Sequence, residues 1–340
     1  MKTKYKIILS IIVSIIVIMM GVGLGSVYVP PDHIIYIISN KIFSTPLPTD
    51  MQSVSISIVW KLRLPRTLLA FIVGGAVAVS GTVMQSVLKN PLASSYTLGV
   101  SSGASLGAAI VIVTGFNIPF LGLFTLPVIG LTFGLLTVFS AVKFAARMDK
   151  NLENNTIILV GMVFSLFVNA ILTLISAMSK DHLAQLTLWQ MGSFSLKDWS
   201  NVIILFPIVL IGVIILQNYS KEMDIMTFGE EQAFTMGVNV HKIKWILLSL
   251  SAALTGSAIS FVGVIGFIDL IAPHVVRRIF GSSHKTIIPM SVIFGGSFMV
   301  ICDLIARTII SPSELPVGAI TALVGAPFFA YVYFSRRKGL

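Results

Sequence analysis

From Asn90 to Val142 the chain contains no Asp, Glu, Lys or Arg. Further uncharged stretches cover residues 7 to 28, 67 to 88, 154 to 179, 199 to 220, 245 to 268, 286 to 302 and 315 to 335. About 20 apolar residues in a helix cross the hydrocarbon core of a bilayer, where only helices and closed barrels satisfy the backbone. These lengths predict an all-α polytopic membrane protein. Charged residues make up 11% of the 340, against about 25% in a soluble domain, and no long polar stretch remains for a second domain. Residues 1–340 therefore read as one transmembrane unit. The longest stretch breaks between Thr114 and Pro119, where Gly115 and Asn117 also favour a turn, so it counts as two spans and the total as nine. Lys2, Lys4 and Lys6 precede the first stretch as in a secretory signal, but Ile7 to Tyr28 is long for one and no A-x-A-like site follows. A retained first helix is expected.

A tenth span turns on Gly266 to Ile279, which is short and contains Asp269, Pro273 and His274. Lys and Arg collect on the cytoplasmic side of membrane proteins. With nine spans and an internal N-terminus, 11 of them fall inside and 12 outside; counting Gly266 to Ile279 as a short eighth helix gives 16 inside and 7 outside. Arg277, Arg278, Lys285, Arg336, Arg337 and Lys338 are then cytoplasmic and Arg307 is outside. The expectation is about ten transmembrane helices with both termini cytoplasmic, the eighth shielded from lipid by protein. The net charge of +10 is thereby explained by topology, without nucleic acid as a partner. Two segments between spans are long: 29–66 outside, read as an extracellular loop, and 219–244 inside, read as one or two short helices facing the cytosol.

Gly99, Gly103 and Gly107 recur every four residues, which in a helix opens one face to close approach by a neighbour. Ala252, Gly256 and Ser260 repeat the spacing. Packing is the first reading of both, and the lining of a translocation path the second. Asp269 and His274 lie in a segment where an ionisable group usually has a task or a partner. Ion coupling is thus an alternative to a structural role, although no companion carboxylate or Lys lies within another span. The five histidines have no zinc-ligand spacing and no H-E-x-x-H occurs. Cys302 is the single cysteine, the serines lack a placed base, and the dipeptide Gly-Lys of a Walker A loop is absent. These absences argue against an enzyme; if ATP drives the protein, another chain hydrolyses it.

The stretch RLPRTLLAFIVGGAVAVSGTVMQSVLKNPLASSYTLGVSSGASLGA, Arg63 to Ala108, resembles the signature of the FecCD-type permeases, membrane subunits of binding-protein-dependent ABC importers for iron chelates and vitamin B12. LWQMGSFSLKDW from Leu188, FGEEQAFTMGVNV from Phe228, FVGVIGFIDLIAPHVVRRIFGSSHK from Phe261 and CDLIARTIISPSELPVGAITALVGAPFF from Cys302 follow in the family's order.

The resemblance implies a ten-helix permease of the cell membrane that pairs with a second permease subunit, identical or not. Two cytoplasmic ATPases would carry ATP and Mg²⁺, and an extracellular solute-binding protein would deliver the solute, an iron-siderophore as in most of the family, for alternating access; no cofactor is implied in this chain. Arg63, Arg66 and Arg307 match basic positions that receive acidic residues of the binding protein. The competing explanation for these arginines is snorkelling to lipid or pairing with Asp303 or Glu314. Gly229, Glu230, Ala233 and Gly237 match the coupling helix that enters a cleft of the ATPase. Asn90 and Leu92, with the turn Glu153, Asn154 and Asn155, correspond to positions narrowing the cytoplasmic end of the path, although small hydroxyl residues are usual in that turn. An ion-coupled secondary transporter is the alternative function.

Overall fold

The computed structural model describes residues 3–48, 51, 53–149 and 151–335. Lys2, Lys150, Arg336, Arg337 and Lys338, counted above for orientation, lie outside the described residues. The described chain is helical, in the order α1 (Thr3–Gly23), α2 (Pro31–Phe43), α3 (Ser53–Ser57), α4 (Leu64–Val87), α5 (Val100–Thr114), α6 (Thr125–Met148), α7 (Asn154–Met178), α8 (Leu183–Gln190), α9 (Trp199–Asn218), α10 (Ser220–Met226), α11 (Glu230–Thr235), α12 (Val240–Val262), α13 (Ile268–Phe280), α14 (His284–Thr308) and α15 (Val317–Ser335). Seven helical stretches among the described residues are long and apolar enough to cross a membrane, and α5 and α15 are shorter apolar helices.

A helix that is apolar all round belongs inside a bundle or a bilayer, and both occur. Nearly every side chain of α4 is buried, whereas Ile8, Ile15 and Ile16 of α1, Leu166 and Phe167 of α7 and Ile203 and Ile211 of α9 stand exposed, as lipid-facing side chains do. Without a hydrophobic drive between helices in lipid, close association needs small residues. Gly74 of α4 and Gly295 of α14 supply them: a Cβ on Gly295 would strike the carbonyl of Gly74, and one on Gly74 would strike the carbonyl of Gly295. Gly103 and Gly107 of α5 face the backbone of α6 at Phe133 and Ile129. Gly99 precedes α5 instead of lying in it, at φ 91°, a left-handed turn that glycine permits, but it too faces α6, where an added Cβ would meet Thr137. Gly256 of α12 faces Leu131 of α6 and Val100 of α5, and Ser260 faces Gly130 of α6, so the two small-residue stripes belong to neighbouring packing surfaces.

Segment 29–66, read as an extracellular loop, is largely helical. It forms α2, α3 and a π-helical turn, Ile58–Arg63, continuous with α4. Ile34 and Ile37 of α2 are fully buried in a small cluster with Val22, Val29 and Val59, an apolar periodicity that the prolines at both ends of the segment obscured. Trp199 closes over the π turn, its Nε1 donating to the Trp60 carbonyl at 2.8 Å.

The segment after α12 folds back. The carbonyl of Val262 receives the N–H of Ser193 at 2.7 Å, and Tyr96 Oη donates to the Ile265 carbonyl at 2.6 Å. Helix α13 then begins alongside the last third of α4, where Asp269 lies against Gly81. The buried Asp269 sits in the first turn of α13, and a carboxylate there suits the helix N-terminus. The turn from α13 to α14 ends beside α10, with Ser283 Oγ donating to Asp224 Oδ2 at 3.3 Å and the N–H of His284 donating to Asp224 Oδ1 at 2.9 Å. An irregular stretch and a short helix, both shielded by protein, thus return the chain to the end from which α12 started.

Candidate functional site

Helix α4 rises about 30 Å from Arg66 to Ser86 at 1.5 Å per residue, and a polar cluster lies at each end. At the first end a cavity of about 570 Å³ is lined by Lys61, Arg63, Arg66, Lys197 and Arg307, with Asp198 and Glu314. The structure brings together the three arginines singled out in the sequence, but not as free surface cations. Arg66 grips Asp303 with Nε at 3.0 Å and Nη2 at 2.8 Å from Oδ1, and its Nη1 reaches Glu314 at 2.7 Å. Arg307 Nε lies 3.6 Å from the other oxygen of Asp303, and its Nη2 donates to the Gly21 carbonyl. Arg63, 7% exposed, donates to the carbonyls of Gly23 at 3.1 Å and Val22 at 3.3 Å. Pairing with Asp303 and Glu314 is therefore what holds Arg66 and Arg307. The sequence reading passed over Lys61, which is exposed, and the half-buried Lys197. Burial pushes the Lys197 ammonium pKa down, with Asp198 opposing the shift.

At the other end, α10 and α11 form the two short helices expected of segment 219–244, whose last residues already belong to α12. Ala233 is buried with Met226 and Val238, while Phe228 and Phe234 are each 75% exposed and Met236 60%. Gly229 enters α11 at φ 136°, and Gly237 leaves it at φ 85°. Glu230 is not a free solvated charge: it pairs at 2.7 Å with Lys244 of α12, which also donates to the Leu152 carbonyl at 2.8 Å. Asp224 of α10 meets His284 Nδ1 at 2.6 Å, and His284 Nε2 meets Ser86 Oγ of α4 at 2.6 Å. Arg277 of α13 donates to the same Oγ at 2.8 Å and to Gln85 at 2.9 Å.

The residues expected to narrow the path sit in two turns. Asn90 Oδ1 accepts the N–H of Leu92 at 2.9 Å, and Leu92 is exposed. Asp149 closes the α6–α7 turn by accepting the N–H groups of Asn151 at 2.9 Å and Glu153 at 2.7 Å. Those two donors hold its carboxylate below the usual aspartate range. Glu153 and Asn155 are exposed and Asn154 is half-buried; Glu153 precedes α7 without capping it through its side chain.

The profile of the FecCD transport family matches residues 12–335. An uncharacterised ABC transporter permease protein of Bacillus subtilis is 38% identical over 322 residues, 95% of this chain and 91% of that one. The hemin transport system permease protein of Yersinia pestis is 36% identical over 283 residues, 82% of this chain and 84% of that one. Other relatives are named for cobalamin, molybdate and ferric citrate import. A solved structure described as an ABC transporter of metal-chelate type in an inward-facing conformation superposes with a TM-score of 0.83 at 27% identity, over 96% of this chain and 97% of that one. With the family profile spanning nearly the whole bundle and seven helices fit to cross a bilayer, this multi-pass protein of the cell membrane belongs to the FecCD transport family.

Proposed function

We propose that this chain is the permease subunit of an ABC importer, moving a metal chelate, an iron chelate foremost, into the cytoplasm. It would act as one of two permease subunits with two cytoplasmic ATPases and an extracellular binding protein. The observation that carries this reading is the α10–α11 pair. It holds a small apolar core yet leaves Phe228, Phe234 and Met236 bare beside Glu230 and Glu231, outside the apolar spans. Exposed apolar side chains grouped on a polar element mark a partner surface. Three of the relatives' names, for hemin, cobalamin and ferric citrate, are of metal chelates, which supports a chelate as the cargo, and selection among chelates is left in this reading to the binding protein. In this reading α10 and α11 face the cytoplasm, and α1, α4, α5, α6, α7, α9, α12, α13, α14 and α15 make ten passages. Both termini are then cytoplasmic, and the cationic cavity faces outward to receive carboxylates of the binding protein.

Replacing Phe228 and Phe234 together by Ser tests it. The double variant should keep the melting temperature of the parent chain and lose copurification of its ATPase. Copurification at the parent stoichiometry would show that α11 is not the ATPase contact.

A further inference from the structure

We propose that Lys244 is a positioning residue that ties α11 to the turn preceding α7, so that displacement of α11 by the ATPase is delivered to the first turn of α7. The inference rests on the reading of α11 as the ATPase contact. Lys244 lies about one turn into α12 and is fully buried. A buried ammonium persists only where its N–H groups find acceptors and its charge a partner, and here the two come from different elements: the Glu230 carboxylate at 2.7 Å, on the first residue of α11, and the Leu152 carbonyl at 2.8 Å, in the α6–α7 turn.

Both ends of this link are firm. Leu152 is fully buried and holds φ 52°, and its N–H donates to the Asp149 carbonyl at 3.1 Å. The Asp149 side chain binds the N–H groups on either side of it. Asp149, Asn151 and Leu152 are therefore linked to Glu153, whose carbonyl accepts the N–H of Ile157 at 3.1 Å in the first turn of α7. On the other side α11 has six residues and one buried side chain, Ala233, so the Glu230 ion pair governs where its first turn sits. The neighbouring α10 is tied elsewhere, through Asp224 to His284 of α14. The two short helices share the core of Met226 and Ala233 but are anchored by ion pairs to different parts of the bundle, and the arm through Lys244 ends on the turn that leads into Glu153, Asn154 and Asn155.

The test is spin-label distance measurement on the complete transporter with its ATPases, nucleotide-free and trapped with ATP and vanadate. Two label pairs share a reference at Leu196→Cys, which is exposed at the opposite end: one pair adds Thr235→Cys on α11, the other Asn151→Cys on the turn. In the parent protein both distances should shift on trapping. In Lys244→Met the Thr235 shift should persist and the Asn151 shift be lost, an outcome that a merely stabilising role would not produce. An Asn151 shift of parent size in Lys244→Met, or none in the parent while Thr235 shifts, overturns the proposal. Should Lys244→Met fail to fold, Glu230→Gln, which keeps the Leu152 bond, is measured instead, and an undiminished Asn151 shift overturns the proposal there. Absence of a Thr235 shift in the parent would instead overturn the reading of α11 as the ATPase contact.

Discussion

Arg66 and Asp303 carry different kinds of information from the lysines around them. Asp303 is 2% exposed and bound by two arginines, and removing one partner of such a buried pair costs about 3 to 5 kcal/mol. Arg66→Met should therefore lower the melting temperature of the purified chain sharply. Lys61→Glu with Lys197→Glu should leave it near the parent value and slow association with the binding protein at low salt, because rim charges act mainly on encounter. Unaltered association in the lysine pair, alongside a fully stable Arg66→Met, would invert these assignments. Replacing Arg63, Arg66 and Arg307 together by Glu would be a poorer probe, since it would bury glutamates beside Asp303. Because an expected place outside the membrane is one that Lys61 and Lys197 share, it was the resemblance of the surrounding stretches to the family that singled out the three arginines in the sequence. Their partners were only candidates, because pairing across the more than two hundred residues from Arg66 to Asp303 leaves no local periodicity. Lys244 was missed for a related reason: among the lysines at the start of α12 it looks like one more cytoplasmic charge, and only burial distinguishes it.

Helices were legible where the absence of charge fixes a span, as for α7, read at residues 154 to 179 and found at Asn154–Met178. They were not legible in 29–66, where charges and prolines hide the buried pair Ile34 and Ile37. The small-residue spacing that stands out in the sequence, at Gly103 and Gly107, packs α5 on α6. The mutual approach of α4 and α14 at Gly74 and Gly295 lies on the same four-residue spacing, Ala70, Gly74 and Ala78 in α4 and Ser291 and Gly295 in α14, which the sequence reading did not single out. Inserting side-chain volume into packed interiors costs about 1 to 3 kcal/mol and occasionally more. Gly295→Leu should reach or exceed that range in thermal unfolding followed by circular dichroism. Gly266→Ala, where no atom lies within 4 Å of the added Cβ, should unfold like the parent. Equal melting for the two would mean that α4 and α14 are not in contact at Gly74.

At the scale of the whole molecule, the decisive feature is the return from Gly263 to Phe280. Without it the α13–α14 turn would emerge at the end occupied by Arg66; with it, Ser283 and His284 reach Asp224 of α10. Ser282→Cys in a Cys302→Ser background should react with an impermeant thiol reagent in inverted vesicles and not in intact cells, and labelling of intact cells would remove the tenth passage. The distribution of Lys and Arg pointed to this segment, but where α13 starts follows from tertiary contacts, of Gly81 with Asp269 and of Tyr96 with the Ile265 carbonyl, that no local pattern encodes. The measurement that bears most directly on the importer reading is uptake, into proteoliposomes holding the complete transporter, of the ligand that copurifies with its binding protein. Uptake should require hydrolysable ATP and be indifferent to collapse of proton and sodium gradients. Uptake that continues with a non-hydrolysable ATP analogue and stops when a gradient is collapsed would contradict the account.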